Sequence, residues 1–340
     1  MRSLMTLVIP CYNEEKALPL FMEAVRPVRE ALAAGKYDTG AGEVLVFDPC
    51  DTELIFADDG STDCTLKLLR EYHAADKSVR YVSFSRNFGK EAGIYAGLKE
   101  AKGDYVVLLD ADLQHPVENI PVMYEALTSE TVAFPDSDGS VRGHYDSVAM
   151  YRKNRKSDGA VRAFFSKIFF RLINRLSGLK LVEGATDFRM MTRQMVDSVL
   201  SMNEYNRFTK GIFNWVGYNT KWMPYKDAER CAGDSKWTTA GLIRYGFEGI
   251  FAFSGKPLTI AFGLGIILCI LAVLYAVYTV ISTLIFGNPV DGYPSLFTMI
   301  LLFGGIQLLF LGFLGQYMSR MYLETKHRPI YILKESSDDD

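Results

Sequence analysis

Cysteine is scarce in this sequence. The five cysteines are odd in number and never stand in Cys-x-x-Cys spacing; they are Cys11, Cys50, Cys64, Cys231 and Cys269. Such scattered residues argue against a disulfide framework and against a zinc site. We therefore expect reduced thiols that face the cytosol.

The sequence also lacks an excess of charge of one sign, and we expect no signal peptide. Lysine and arginine number 37 and aspartate and glutamate 40, which gives a formal net charge of −3. Overall charge therefore gives no reason to expect a nucleic-acid partner. The segment from Met1 to Pro10 is too short for a signal peptide and leads directly into a polar motif. We expect residues 1–237 to form a cytosolic domain.

Short apolar runs alternate with helical patterns in the first third of the chain. The sequence predicts strands at 6–9, 53–57, 79–84 and 105–109, and helices at 13–32, 65–75 and 90–101. This alternation predicts an α/β fold with a parallel sheet that is covered on both faces. The Gly-containing segments 35–52 and 130–147 predict irregular surface loops.

A polar cluster follows each predicted strand, where ligands of parallel sheets bind. After the fourth strand come Asp110 and Asp112, which share a face if the strand continues. Two hard oxygen donors suit Mg²⁺ or Mn²⁺, and Gln114 could add a third. The alternative is a strand that ends in an acidic turn. His115 could touch a metal or phosphate, or face solvent.

Basic residues dominate the segment from Arg152 to Arg175, with eight against one acidic residue. Apolar residues at 160–176 recur with helical spacing, which predicts an amphipathic helix with a basic face. The helix could dock on the sheet with its basic side solvated, or lie on anionic lipid headgroups.

Two long apolar runs lie near the end of the chain, at 258–286 and 295–317. Each exceeds the roughly 20 residues that span a bilayer. Positive residues flank the pair and are absent from its connection, so both termini are expected in the cytoplasm. Residues 238–256 predict an interfacial helix, and residues 321–340 predict a cytosolic tail with a disordered acidic end. Gln307 and nearby glycines would allow helices to associate in a homo-oligomer.

Six short motifs, taken together, resemble those of a known protein family. They are 10–15 (Pro-Cys-Tyr-Asn-Glu-Glu), 58–63 (Asp-Asp-Gly-Ser-Thr-Asp), 87–90 (Asn-Phe-Gly-Lys), 110–116 (Asp-Ala-Asp-Leu-Gln-His-Pro), 184–189 (Gly-Ala-Thr-Asp-Phe-Arg) and 230–237 (Arg-Cys-Ala-Gly-Asp-Ser-Lys-Trp). In this order they resemble family-2 glycosyltransferases of the polyprenyl-phosphate sugar transferase group, which includes dolichyl-phosphate mannose synthases and bactoprenol glucosyltransferases. The resemblance implies a Rossmann-like GT-A domain, then amphipathic interface helices and a two-helix transmembrane hairpin, most simply in a bacterial inner or plasma membrane.

The resemblance also implies a donor site for a nucleotide-diphosphate sugar. Nucleobase and ribose would be held by Pro10, Tyr12, Glu14, Asp58 and Asp59. The rest of the donor site would consist of Lys90, Asp110, Ala111 and Asp112, although Lys90 could equally be a simple helix-start residue. The ligands of Mg²⁺ or Mn²⁺ would be Asp110, Asp112 and Gln114.

The implied acceptor is a polyprenyl phosphate, undecaprenyl or dolichyl. Its second pKa is about 6, so it needs cationic positioning and no general base. Arginine offers two-point contact with phosphate. The candidate acceptor residues are Arg152, Arg155, Arg230, Ser235 and Lys236, and the candidate catalytic residues are Asp112, Asp187, Arg152 and Arg230. Asp187 could instead form a structural pair with Arg189.

Attack opposite the leaving diphosphate would invert the anomeric configuration. The residues of the 110–116 motif and the pair of predicted membrane spans favour UDP-glucose as the donor, and GDP-mannose is the alternative. A processive polysaccharide synthase is less expected because the chain has two predicted spans and no Gln-x-x-Arg-Trp motif. A non-catalytic membrane scaffold is less expected because the metal carboxylates are present.

Overall fold

The computed structural model describes residues 2–40, 42–129, 131–133, 142–152, 182, 184–225, 256–286 and 292–338. The predicted amphipathic helix at 160–176 and, apart from residue 256, the predicted interfacial helix lie outside these residues.

The described elements follow the chain in this order. The strands are β1 Ser3–Cys11, β2 Lys36–Asp38, β3 Val44–Val46, β4 Cys50–Asp58, β5 Val79–Phe84, β6 Tyr105–Leu108, β7 Thr131–Ala133, β8 Arg142–His144, β9 Ser147–Arg152, β10 Ala185–Thr192, β11 Thr220–Tyr225 and β12 Leu333–Ser336. The helices are α1 Ala17–Ala34, α2 Thr65–Ala75, α3 Lys90–Glu100, α4 Asn119–Ser129, α5 Arg193–Ser201, α6 Thr209–Trp215, α7 Lys256–Phe286 and α8 Tyr293–Thr325.

One eight-stranded sheet organises the domain, in the order β11-β9-β10-β6-β1-β4-β5-β12. The four predicted strands β6, β1, β4 and β5 are adjacent and parallel, as expected. The whole sheet is mixed, because β10 pairs antiparallel with β6 and β12 pairs antiparallel with β5. The added strands carry polar residues among their apolar ones, so they lack the continuous apolar runs that mark buried parallel strands.

The two segments expected to be irregular contain short hairpins. In 35–52, β2 pairs antiparallel with β3, and the last three residues already belong to β4. In 130–147, β7 pairs antiparallel with β8, while 134–141 lie outside the described residues. Both predictions missed strands of only three residues, which are too short to show a periodic pattern.

The core lies on both faces of the sheet. On β1, Leu7 and Ile9 pack with Phe56 on one face, and Val8 packs with Ile94 of α3 on the other. Helix α3 approaches the sheet closely, since a Cβ at Gly97 would stand 2.3 Å from Val8 Cγ1. The small residues of this helix are therefore a packing requirement.

Two long helices, α7 and α8, cover both of the predicted apolar segments. Among the described residues, one stretch, Leu302–Thr325, is long and apolar enough to cross a membrane by length and composition, and α7 contains a shorter apolar stretch, Gly265–Tyr275. Large apolar side chains on both helices are exposed, including Leu284 and Leu308. The second helix extends eight residues beyond the predicted end at 317.

The acidic end of the chain is ordered at residues 333–338, contrary to the prediction of a disordered tail. Strand β12 pairs with the edge strand β5, and Ser337 is buried. Glu335 accepts hydrogen bonds from Arg70 Nε at 2.7 Å and Tyr81 Oη at 2.6 Å. Asp338 pairs with Arg80 at 2.6 Å. Arg70 and the buried Arg80 therefore compensate the acidic residues, and the tail returns to the domain instead of extending into solvent.

The tail predicts an acid-sensitive contribution to stability. Hydrogen bonds from Arg70 lower the pKa of Glu335 to about 2, although partial burial opposes them. Since the pKa in the unfolded chain is about 4.3, the stabilisation is complete above pH ~5 and is lost as the pH falls toward 2. Arg70 is half-exposed, so we expect no more than about 1 kcal/mol.

The measurement is thermal unfolding of the full chain and of Glu335→Gln between pH 7 and pH 2. The difference in Tm between the wild-type chain and Glu335→Gln should be constant above pH ~5 and should disappear at lower pH. Glu23→Gln, at an exposed position of α1, is the matched control. A gap that stays constant down to pH 2 would contradict the assignment.

Candidate active site

The polar clusters that follow β1, β4, β5 and β6 meet at one edge of the sheet, as the sequence predicts. Asn13 of the first cluster is hydrogen-bonded to the second, donating from its backbone to Ser61 Oγ at 2.9 Å and accepting from Thr62 N at 2.8 Å. Asp59 of the second cluster bonds to the third, and Lys90 of the third pairs with Asp110 of the fourth. The four clusters therefore form one connected surface.

The first cluster is a turn and not the start of a helix. The sequence predicts a helix from Asn13 with acidic residues in its first turn, but α1 begins at Ala17. Asn13 has a left-handed φ of 55°, and Glu14 N donates to Thr65 Oγ1 at 2.9 Å. The bonds to the second cluster hold this segment out of the helix. Pro10, the first predicted donor residue, is partly exposed at the end of β1.

Asp58 and Asp59 are buried and shape the loops around them. Asp58 accepts from Ser61 N at 3.0 Å and from Ser83 Oγ at 2.7 Å. Asp59 accepts from Phe88 N at 2.6 Å and Gly89 N at 2.8 Å, while burial raises its pKa. These structural bonds were not predicted, and the expected contacts of both residues with nucleobase and ribose remain predictions.

Gly60 allows the second and third clusters to approach each other. It has a φ of 68°, and a Cβ there would lie 2.5 Å from the carbonyl carbon of Arg86. Any larger residue would force the loop of residues 86–89 away from Asp59. Glycine is therefore required both for the backbone conformation and for the close contact.

The centre of the site is an ion-pair cluster of Lys90, Asp110 and Asp187. Lys90 Nζ lies 2.7 Å from Asp110 Oδ1 and 2.9 Å from Asp110 Oδ2. The same nitrogen lies 3.0 Å from Asp187 Oδ2. One ammonium therefore bridges carboxylates from two neighbouring parts of the sheet, the loop after β6 and strand β10. This arrangement brings together three of the residues predicted from sequence.

A second lysine, Lys210 at the start of α6, lies 3.8 Å from Asp187 Oδ1. Burial by itself would raise the pKa of Asp187, but Lys210 and Lys90 outweigh it and hold that pKa far below its usual range. For Asp110, burial is likewise outweighed by Lys90, and its pKa is lowered. Both carboxylates are therefore ionised at neutral pH.

The loop after β6 corrects the premise that Asp110 and Asp112 share a strand face. Strand β6 ends at Leu108, and Leu113 has a left-handed φ of 56°. Asp112 Oδ1 accepts from Gln114 N at 3.1 Å, which closes a turn. The acidic turn that the sequence analysis gave as the alternative is therefore the observed conformation.

His115 is buried, contrary to the prediction of a solvent-facing residue. Its ring stacks on Phe188 with centroids 5.2 Å apart. Its Nδ1 accepts a hydrogen bond from Asp110 N at 3.2 Å and therefore carries no proton. Burial lowers the pKa of His115, which favours this neutral form. The residue fixes the backbone that carries Asp110.

The residues present fit a divalent cation that is shared with a substrate. Among the described residues, no three His, Cys, Asp or Glu side chains form a group that could hold a metal ion alone. Asp110 and Asp112 nevertheless offer hard oxygen ligands on one short loop. Mg²⁺ binds through one or two carboxylates plus substrate phosphates and waters, so two carboxylates suffice.

Arg152, at the end of β9, supplies a cation on another side of the same loop. Its Nη2 donates to Gln114 Oε1 at 3.4 Å, and its Nε donates to Tyr225 Oη at 3.2 Å. The other predicted acceptor residues, Arg155, Arg230, Ser235 and Lys236, lie outside the described residues. Of the predicted acceptor set, the structure therefore places only Arg152, beside the predicted metal ligand Gln114.

Lys210 and Glu91 are site residues that sequence reasoning missed. Glu91 Oε2 accepts from Thr209 N at 2.9 Å and from the Thr209 hydroxyl, and burial raises its pKa. This contact joins the start of α3 to the start of α6 and places Lys210 beside Asp187. In the sequence, Thr209 and Lys210 are recognisable only as a polar pair at the start of a short helix. This pattern does not reveal which distant residues they contact.

Two arginines near the site have structural roles in the described residues. Arg189 is buried and stacks on Phe213, with its guanidinium carbon 3.9 Å from the ring centroid. The part of the chain that the structure describes shows no ion pair between Arg189 and Asp187, so the structural pair considered from sequence is not found there. Arg207 donates to the carbonyls of Val199 and Met202 at the end of α5.

Comparison with known proteins gives consistent matches. Residues 6–200 match the family described as Glycosyl transferase family 2. The chain is 38% identical over 329 residues to Bactoprenol glucosyl transferase of Shigella phage SfV, covering 97% of each chain. It is 37% identical over 336 residues to Putative glycosyltransferase CsbB of Bacillus subtilis (strain 168), covering 99% of this chain and 93% of that protein.

A solved structure of glucosyl-3-phosphoglycerate synthase from Mycobacterium tuberculosis, in complex with Mn²⁺, uridine-diphosphate and phosphoglyceric acid, is also similar. It has a TM-score of 0.45 and 17% sequence identity, and the match covers 74% of this chain and 76% of that one.

The position of His115 gives a prediction for two substitutions. His115→Ala and His115→Asn both remove the stacked ring, but the asparagine oxygen replaces Nδ1 as acceptor for Asp110 N. We expect His115→Asn to be more stable by about 1 kcal/mol, since only the alanine variant leaves a buried N–H unpaired. This corresponds to a Tm about 2 °C higher in thermal unfolding of the full chain. Equal Tm values for the two variants would show that Nδ1 has no such role.

Proposed function

The chain belongs to glycosyl transferase family 2 and is a glycosyltransferase of GT-A fold, and we propose that it transfers one sugar from a nucleotide-diphosphate sugar to a polyprenyl phosphate. UDP-glucose is the proposed donor. The observation that carries the proposal is the cluster of Lys90, Asp110 and Asp187 in a domain tied directly to the apolar helix α8. The names of the relatives, bactoprenol glucosyl transferases, support both glucose and a polyprenyl carrier.

The helices α7 and α8 support a membrane-bound acceptor. Their exposed apolar side chains, such as Leu284 and Leu308, form more apolar surface than a water-exposed protein usually leaves uncovered. Glu324, near the end of α8, accepts from Tyr205 N at 3.0 Å, and β12 returns to the sheet. We propose that both helices span the bilayer as a hairpin and hold the domain at its cytoplasmic face.

The donor half of the site would bind the diphosphate. Asp110 and Asp112, with Gln114, would hold Mg²⁺ or Mn²⁺, which would offset the charge of the leaving nucleoside diphosphate. Asp59 orders the loop before Lys90 and so fixes the backbone position from which the lysine ammonium would extend toward the phosphate oxygens. Asp187, kept ionised by its two lysines, would accept a hydrogen bond from a sugar hydroxyl.

The acceptor half would bind an anion. Arg152 would hold the polyprenyl phosphate, together with Arg155, Arg230, Ser235 and Lys236, which the sequence alone nominates. A phosphate oxygen would attack the anomeric carbon while the bond from that carbon to the donor diphosphate breaks. Attack from the opposite side inverts the configuration, so an α-linked donor would give a β-linked lipid phosphate sugar. The nucleoside diphosphate leaves with the bonding electrons.

The full chain in detergent, incubated with Mn²⁺, undecaprenyl phosphate and a labelled nucleotide sugar, tests the proposal. We expect one sugar per lipid, with UDP-glucose the best donor in a screen of UDP- and GDP-sugars. A preference for GDP-mannose would reassign the donor. A ladder of longer products would indicate a processive synthase. No lipid product with any donor, from folded protein, would contradict the transfer reaction itself.

Asp112→Asn provides a sharper test of the metal assignment. The amide is a weaker ligand for a hard cation, so transfer should fall at least about 100-fold while the Tm changes little. Asp197→Asn is the matched control, because that carboxylate is exposed on α5 and pairs only loosely with Arg193. Activity of Asp112→Asn near the wild-type level would remove Asp112 from the metal site.

A further inference from the structure

Lys90 occupies the position that a cation would take between the two carboxylates of the site. Its ammonium lies within 3.0 Å of Asp110 and of Asp187. A divalent cation bound to Asp110 would stand 2.0–2.6 Å from the same oxygens. Two cations that close to each other repel strongly, because the partly buried site screens charge less than water does. Lys90 and a metal ion therefore compete for Asp110.

The backbone of Lys90 is fixed, but its side chain has room to move. Asp59 holds the backbone N–H groups of Phe88 and Gly89 just before it, and Thr209 binds the side chain of Glu91 just after it. The Lys90 side chain is 44% exposed, although its nitrogen is paired. A lysine with four methylene groups and an open side can swing its ammonium without moving the helix.

Asp187 would keep a cation if Lys90 left. Lys210 lies 3.8 Å from its other oxygen and belongs to a different helix, α6. Among the described ion pairs, Asp110 has no second cation besides Lys90. Its other neighbour, His115 at 3.9 Å, is neutral. Departure of Lys90 therefore leaves Asp110 as the carboxylate that most needs a new cation.

We propose that Lys90 is an exchangeable counter-ion of the site. It neutralises Asp110 and Asp187 before substrate binds, and it moves to the donor diphosphate when the metal ion takes Asp110. This inference rests on the proposed function and adds a binding order to it: metal and nucleoside diphosphate bind cooperatively. The diphosphate provides a new partner for the ammonium, which makes Asp110 available to the metal, and by linkage each ligand strengthens the other.

Binding of Mn²⁺, followed by electron paramagnetic resonance of the full chain in detergent, tests this without turnover. Wild-type protein should bind Mn²⁺ weakly alone and at least about tenfold more tightly with UDP. Lys90→Met should bind Mn²⁺ alone more tightly than wild type does, and UDP should improve that affinity much less. Lys90→Arg keeps the charge and should resemble wild type. Lys99→Met, at an exposed position on the same helix, should leave all values unchanged.

The outcomes separate this inference from the proposed function. If wild-type protein binds Mn²⁺ and UDP but Lys90→Met binds Mn²⁺ no more tightly, the exchange is wrong and the transferase proposal stands. If UDP improves Mn²⁺ binding equally in both proteins, Lys90 does not carry the coupling. If folded wild-type protein binds neither ligand, the donor half of the proposed function fails as well. Thermal unfolding of each variant verifies that it is folded.

Discussion

The arrangement of the site depends on pairing Lys90 with Asp110 and Asp187. The parallel strand β6 brings Asp110 to this edge after its carboxyl end, and the antiparallel strand β10 brings Asp187 there near its start, so two partly buried carboxylates meet. Two such charges cannot stay ionised side by side without a cation. The surrounding loops meet this requirement, because Asp59 fixes the segment before the lysine and His115 fixes the backbone of Asp110. Several elements of the fold therefore act together to compensate the two negative charges at this edge of the sheet.

A similar balance of charge governs the end of the chain. The acidic tail forms a strand because Arg70 and Arg80 stand beside the sheet edge that it covers. Glu324 adds a contact between α8 and the domain. The end of α8 is thus connected to the domain at two places, through Glu324 and through β12. If the acceptor lies in a bilayer, as proposed, these two connections would limit how far the site can move from the membrane surface.

Sequence predicted the parts of the fold that rest on local pattern. The four central strands have continuous apolar runs because they are buried on both faces, and a polar cluster follows each run. Partners from distant segments were not predictable. Lys210 reaches Asp187 only because Thr209 binds Glu91, more than a hundred residues earlier in the chain. The left-handed φ of Leu113 in the acidic turn was not predictable either, since leucine rarely adopts that conformation.

The electrostatics of the site bear on the class of acceptor. A hydroxyl acceptor needs a base with a pKa near neutrality, whereas lysines lower the pKa values of Asp110 and Asp187. Burial raises the pKa of Glu91, but its carboxylate is already bonded to Thr209. These three carboxylates are therefore poor bases. An acceptor that arrives as an anion needs no base, and it needs a cation such as Arg152 instead. This charge arrangement therefore supports the proposed phosphate acceptor.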